Sequence, residues 1–172
     1  MAQREILTYP HPVLRETAAP VTAFDASLER LLADMAETMY AAPGIGLAAN
    51  QIGVALQVVV IDISPKGEEP HLIELVNPQI TFGEGAQLDE EGCLSVVDLS
   101  AKVKRFQKIS VKAQDRAGQH LEFEAEDLFA RVIQHEVDHL HGKLFIDHLS
   151  ALKRSMYKKK RKKQLQQDAQ AA

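Results

Sequence analysis

The chain has 172 residues, 45% of them hydrophobic, which suits one compact domain with a genuine core and requires no second one. A formal net charge of −4 gives no ground for a nucleic-acid or membrane role from the total alone. The single cysteine, Cys93, excludes an internal disulfide framework and suits a reducing compartment.

At the start, MAQREILTYPHPVLRE places Arg4, Glu5 and two prolines where a signal peptide needs an unbroken apolar run, so export is not expected. Nothing approaches the ~18 apolar residues of a membrane span; the longest candidate is 58-VVVI-61. From Asp25 to Ala42, Leu28, Leu31, Leu32, Met35 and Met39 recur at three and four, the period of an amphipathic helix, and Pro43-Gly44 stops it. In 44-GIGLAANQ-51, Gly44, Gly46 and Ala49 satisfy the G-x-G-x-x-A dinucleotide fingerprint, but that fingerprint follows a strand and opens a helix. Here a helix precedes and a strand follows. The glycines are instead expected to let the main chain lie against an extended ligand, with Gln51 offering an amide donor.

The runs 57-QVVVIDI-63 and 72-LIELVNP-78 are expected strands, and 108-KISVKAQD-115 with 119-QHLEFEAE-126 an expected hairpin whose alternate residues face a core. A second helix runs from about Glu126 to His141, acidic at its start and closed by Gly142-Lys143. A third begins near Ser150 and enters a run, Lys153 to Lys163, with eight basic residues and no acid; the closing QQDAQAA has no apolar face to hold it. Hairpins with a few helices and no βαβ alternation give an α+β class: antiparallel sheets around a central helix, with an N-terminal and a C-terminal helix. Residues 1–149 form the expected catalytic unit and 150–172 a basic helix and tail.

The central helix carries 133-IQHEVDHLHG-142. Residues four apart face the same way, so His135 and His139 can hold one metal ion, with Glu136 beside it and Leu128 and Val132 in the same stripe. A zinc protease would find its third ligand downstream, yet the third histidine of H-E-x-x-H-x-x-G-x-x-H is here Phe145, and no glutamate follows Glu136. Asp147 and His148 are weak loop-borne alternatives. Upstream, 90-EEGCLSV-96 supplies Cys93 as the best third ligand, with Gly92 beside it permitting an unusual backbone or a close approach; one thiolate and two imidazoles leave a coordination position open for catalysis. Asp138 is expected to turn away from the metal, with Arg105 a partner. A binding protein with an inert structural metal and a cationic helix is the non-enzyme alternative.

GIGLAANQ, EGCLS and QHEVDHLHG, in this order and with YPHPVLR ahead of them, closely resemble the signature motifs of the peptide deformylases. One departure is Val97, where that family commonly has proline after CLSV. The resemblance implies a metal-dependent hydrolase that removes the N-formyl group from the N-terminal formylmethionine of nascent polypeptides and releases formate. It implies Cys93, His135 and His139 as ligands of one divalent ion, Fe(II) in the cell, with nickel, cobalt or zinc able to occupy purified material. Glu136 becomes the general acid/base, Gln51 and the backbone N–H of Leu94 the oxyanion donors, and Ile45, Gly46, Glu91, Leu128 and Val132 the substrate contacts. Further implications are a bacterial cytoplasm, no DNA or membrane partner, and docking of the basic C-terminal helix on the ribosome, driven by phosphate contacts.

Overall fold

A computed structural model describes residues 2–171. Asp25 caps the first helix, α1 (Ala26–Ala41), its carboxylate accepting from the N–H groups of Ser27 and Leu28 at 3.0 and 3.3 Å. Those are amides that a helix start otherwise leaves unpaired. The GIGLAANQ segment then supplies a short edge strand, β1 (Gly46–Ala48), and a 3-10 turn over Ala49–Ile52 that stops at Gly53, left-handed at φ +85°. β2 (Val58–Ile61) lies antiparallel between β1 and β3 (Ile73–Glu84). The third strand runs past Pro78, the expected stop. Asn77 at φ +51° and a register shift between Val76 and Gln79 take the proline into the strand as an irregularity.

β4 (Gln87–Cys93) and β5 (Val96–Arg105) form a separate two-stranded sheet that the hydrophobic pattern did not announce, because its buried positions include Glu91 and Arg105. The expected hairpin is β6 (Lys108–Gln114) and β7 (His120–Glu126), with Ile109 opposite Ala125, Val111 opposite Phe123 and Ala113 opposite Leu121. The main sheet has the order β1-β2-β3-β6-β7. Two helices complete the core region, α2 (Asp127–Leu140) and, after a 3-10 turn at Phe145–His148, α3 (Ala151–Ala171).

β2 is buried on both faces, which is why it reads as an unbroken apolar run. Val58, Val60 and Val76 pack with the Leu and Met stripe of α1, while Val59, Ile61, Leu75, Ile109 and Val111 pack with Ala130, Ile133, Val137 and Leu140 of α2. The other side of α2 meets β4 and β5 through the Arg131 side chain, which reaches Glu91, Gln87 and the Val103 carbonyl. The α+β class with α2 at the centre therefore stands as expected.

A third core cluster joins Val13, Leu14, Val96, Val103 and Phe145 to Tyr157 of α3. The Tyr157 hydroxyl donates to the Val97 carbonyl at 2.9 Å, so the residue that departs from the family pattern stays within β5 and anchors α3. Arg161 is also buried and donates to the Tyr9 carbonyl at 2.9 Å and to Thr8 Oγ1 at 3.1 Å. The strip Leu7–Tyr9 in turn donates from Leu7 N to the Gln51 carbonyl at 2.7 Å and from Tyr9 N to the Ser95 carbonyl at 2.8 Å. α3 continues helical through the glutamines and alanines of the closing segment, where no apolar contact was expected to hold it; those residue types are good helix formers even when exposed.

Candidate metal centre

His135 and His139 lie one turn apart on α2, and Cys93 ends β4 where a register shift separates Gly92 from Cys93. One donor atom from each of the three falls within 4.8 Å of the others. The two histidine Nε2 atoms are 3.3 Å apart, and Cys93 Sγ is 3.4 Å from His139 Nε2. A tetrahedral set with metal–nitrogen bonds of about 2.0–2.1 Å and a metal–sulfur bond of about 2.3 Å puts neighbouring donors about 3.3–3.6 Å apart, so the three residues fit a single ion. Glu91 Oε1 lies 2.9 Å from His135 Nδ1. A carboxylate only accepts, so Nδ1 carries the hydrogen and the Nε2 lone pair faces the other two donors. Asp147 and His148, the weaker ligand candidates, lie elsewhere: Asp147 pairs with Arg15 and His148 with Asp138.

The cluster opens into a cavity of about 400 Å³. Glu136 lines it; burial pushes its carboxyl up to about 7, and its Oε2 is buried with no partner among the described residues. That is a buried acceptor with no partner beside the cavity, on a carboxyl able to take a proton near neutrality. Gln51 and Leu94 line the same cavity, and Ile45, Gly46, Leu128 and Val132 form its apolar side. Val132 is buried, whereas Ile45 and Leu128 are about half exposed, as a wall waiting for a ligand would be. Two glycine expectations change. A Cβ on Gly46 would meet Glu136 Oε1 at 2.6 Å and one on Gly44 would meet Leu94 Cδ1 at 2.7 Å, so a side chain at either position would crowd the chain's own site residues. Gly92 has neither a left-handed φ nor a tight neighbour, a Cβ there meeting only the Leu99 carbonyl at 3.8 Å.

The polypeptide deformylase family profile matches residues 3–155. A peptide deformylase of Desulfotalea psychrophila is 53% identical over 164 residues, covering 95% of this chain and 97% of the relative. The crystal structure of a peptide deformylase from Legionella pneumophila superposes with a TM-score of 0.89 at 48% identity over 98% of both chains. That of Ehrlichia chaffeensis in complex with actinonin gives 0.89 at 35% identity, covering 95% and 98%. The chain belongs to the peptide deformylase family. It is a hydrolase that removes the N-formyl group from nascent polypeptides, and its Cys/His/His cluster fits the metal dependence of deformylases.

With the deformylase reaction in view, the charged side of the site gains meaning. Glu91 was expected to contact substrate; it lines the cavity, but its carboxylate faces inward and accepts from Arg105 Nε and Nη2 at 2.9 Å each, from Arg131 Nη1 and from His135 Nδ1. Burial would raise its pKa, yet Arg105 and His135 hold it at about 2. Arg105 also reaches Asp138 at 2.7 Å, the pairing expected from sequence, and Asp138 accepts from His148 as well. Arg131 carried no signal in the sequence, and His148 was singled out only as a weak ligand candidate; a buried arginine on a helix looks like a solvated one until the fold places β4 against it.

A deformylase with alanine at Gly46 is expected to keep its metal and lose about 10²-fold in turnover, since Glu136 is pushed out of line by a distance on the order of 1 Å. Steady-state formate release beside metal analysis checks this, and unchanged turnover would mean that the carboxylate tolerates the crowding.

Proposed function

We propose that Cys93, His135 and His139 hold one divalent ion and that Glu136, Gln51 and the Leu94 N–H carry out the hydrolysis around it. The convergence of three donors on one point, in a cavity also lined by an unpaired buried carboxyl, is the observation that supports this reading most. A bound ion there supplies Lewis acidity and makes water acidic enough to lose a proton near neutral pH. Glu136 takes the proton from the water that attacks the formyl carbon and returns it to the departing nitrogen. Gln51 and the Leu94 N–H donate to the formyl oxygen as it gains charge. Ile45, Gly46, Leu128 and Val132 receive the methionine side chain, while Glu91 serves by orienting His135.

The ion is Fe(II) in the cell; a thiolate-ligated ferrous centre is oxygen-sensitive, which suits the cytoplasm of a bacterium. Nickel, cobalt and zinc share the same donor preferences and can replace it in purified protein. The test is formate release from a formyl-Met peptide by protein loaded with Fe(II) without oxygen. One ion per chain and activity lost on chelation are expected; a metal-loaded protein that releases no formate would overturn the site assignment.

Residues 1–149 carry the chemistry, and 150–172 present a basic face to ribosomal RNA. Among the described residues no helix is long and apolar enough to cross a membrane. Of the eight basic residues, Arg154, Lys160 and Arg161 bond to carbonyls of the chain itself, whereas Lys153, Lys158, Lys159, Lys162 and Lys163 are exposed. Deleting the segment would remove the Tyr157 and Arg161 anchors, so the clean test changes only exposed charge. Replacing Lys158, Lys159, Lys162 and Lys163 with glutamine is expected to abolish salt-sensitive cosedimentation with ribosomes while formate release is retained. Cosedimentation equal to the parent would remove the docking role.

A further inference from the structure

Gln51 is 1% exposed and has one amide acceptor and two amide donors to place. Its Oε1 accepts from the backbone N–H of Ala48 at 2.9 Å, which fixes which end of the amide is oxygen. One N–H goes to Ser95 Oγ at 3.0 Å. Nε2 also donates to Cys93 Sγ at 3.7 Å, a long bond that turns its second N–H toward the ligand cluster at the edge of the cavity. Ser95 itself is fully buried and is not among the residues that line that cavity.

We infer that Ser95 is a positioning residue for deformylation: its hydroxyl takes one Gln51 N–H and so aims the other at the formyl oxygen. The inference rests on the reading of Gln51 as an oxyanion donor. With oxygen held by Ala48 and one hydrogen by Ser95, the amide plane has both its axis and its rotation fixed, and the second donor needs no reorganisation when charge develops. Without Ser95 the amide keeps the Ala48 bond and only the long contact to Cys93 Sγ, and its donor end loses the short bond that fixes its rotation. The main chain also sets the spacing of the pair, because the Leu7–Tyr9 strip bonds to the Gln51 carbonyl at one end and to the Ser95 carbonyl at the other.

The test is a double-variant cycle in the full chain loaded with zinc, with metal content measured for each protein: Ser95→Ala, Gln51→Ala and the two together. Ser95→Ala is expected to lower kcat about tenfold, the worth of one aligned hydrogen bond, with KM changed by less than about twofold. The double variant is expected to be no slower than Gln51→Ala, since there is then no amide left to aim. A second readout is hydrogen exchange of the Gln51 side-chain amide followed by NMR: one hydrogen protected in the parent, neither in Ser95→Ala. Parental kcat in Ser95→Ala overturns the inference, as does a Ser95 effect that multiplies undiminished onto Gln51→Ala. Fast exchange of both amide hydrogens in the parent overturns it without any variant. Parental kcat in Gln51→Ala would instead remove the oxyanion role of Gln51 itself, and the inference with it.

Discussion

Replacement of Glu136 by alanine is expected to leave a folded protein with its metal in place and formate release reduced by at least ~10²–10⁴-fold, the usual worth of a positioned proton shuttle. The carboxyl touches none of the three ligand atoms through a hydrogen bond among the described residues, and its Oε2 is unpartnered, so truncation removes chemistry without stranding a neighbour. Loss of a buried carboxyl with its pKa at about 7 also removes a group that the fold holds at a desolvation cost, which is why stability is expected to hold or rise. The companion variant, Cys93→Ala, should behave in the opposite sense: metal lost, and activity lost with it. Formate release and metal content measured on the same preparations separate the two. A Glu136→Ala protein with parental turnover, or a Cys93→Ala protein that keeps a full equivalent of metal, would each contradict the roles assigned.

The largest effect on stability is expected at Glu91. Its two oxygens accept from two buried guanidiniums and one imidazole, and the side chains of Glu91, Arg105 and Arg131 are each about 5% exposed or less. Taking the carboxylate away leaves Arg105 with Asp138 as its remaining acidic partner and Arg131 with only the Val103 carbonyl and Gln87 oxygens. Breaking one side of such a buried pair costs about 3–5 kcal/mol. For a chain of this size that corresponds to a fall in Tm of roughly 6–20 °C. His135 also loses the acceptor that fixes its tautomer, so metal affinity should drop by about 10–100-fold. Thermal unfolding in the presence of chelator isolates the first effect and metal titration the second. A Glu91→Ala protein as stable as the parent would mean that water penetrates the network and hydrates both arginines.

The Cys93/His135/His139 cluster could be read from the sequence because two of its members sit four apart on a helix whose stripe is otherwise apolar, and the third is the only cysteine. The β6–β7 hairpin could be read because its pleat is written in alternating residues, Ile109, Val111 and Ala113 on one strand and Leu121, Phe123 and Ala125 on the other. What escaped is what depends on elements meeting. β4 and β5 were missed because their inward positions hold Glu91 and Arg105, charges whose burial makes sense only once Arg131, Asp138 and His135 of α2 are opposite them. The length of β3 was missed because a proline normally ends a strand and the Asn77 irregularity that admits it has no sequence period. The GIG glycines were expected to make room for a ligand; that a Cβ on them would also crowd Glu136 and Leu94 depends on elements meeting and has no sequence signal.

The bonds from Arg161 to Thr8 and Tyr9 join residues 153 and 152 positions apart, and through Leu7 and Tyr9 the same strip fastens Gln51 and Ser95. Contacts so far apart along the chain close late, because the entropy of bringing the two ends together must be met before they contribute anything. During synthesis the sheet, α1 and α2 can assemble while α3 is still being made, but the strip cannot be clamped until Arg161 has left the ribosome. An enzyme whose substrates are the first residues of other new chains thus fastens the strip behind its own Gln51 and Ser95 only once Arg161 of α3 has been added.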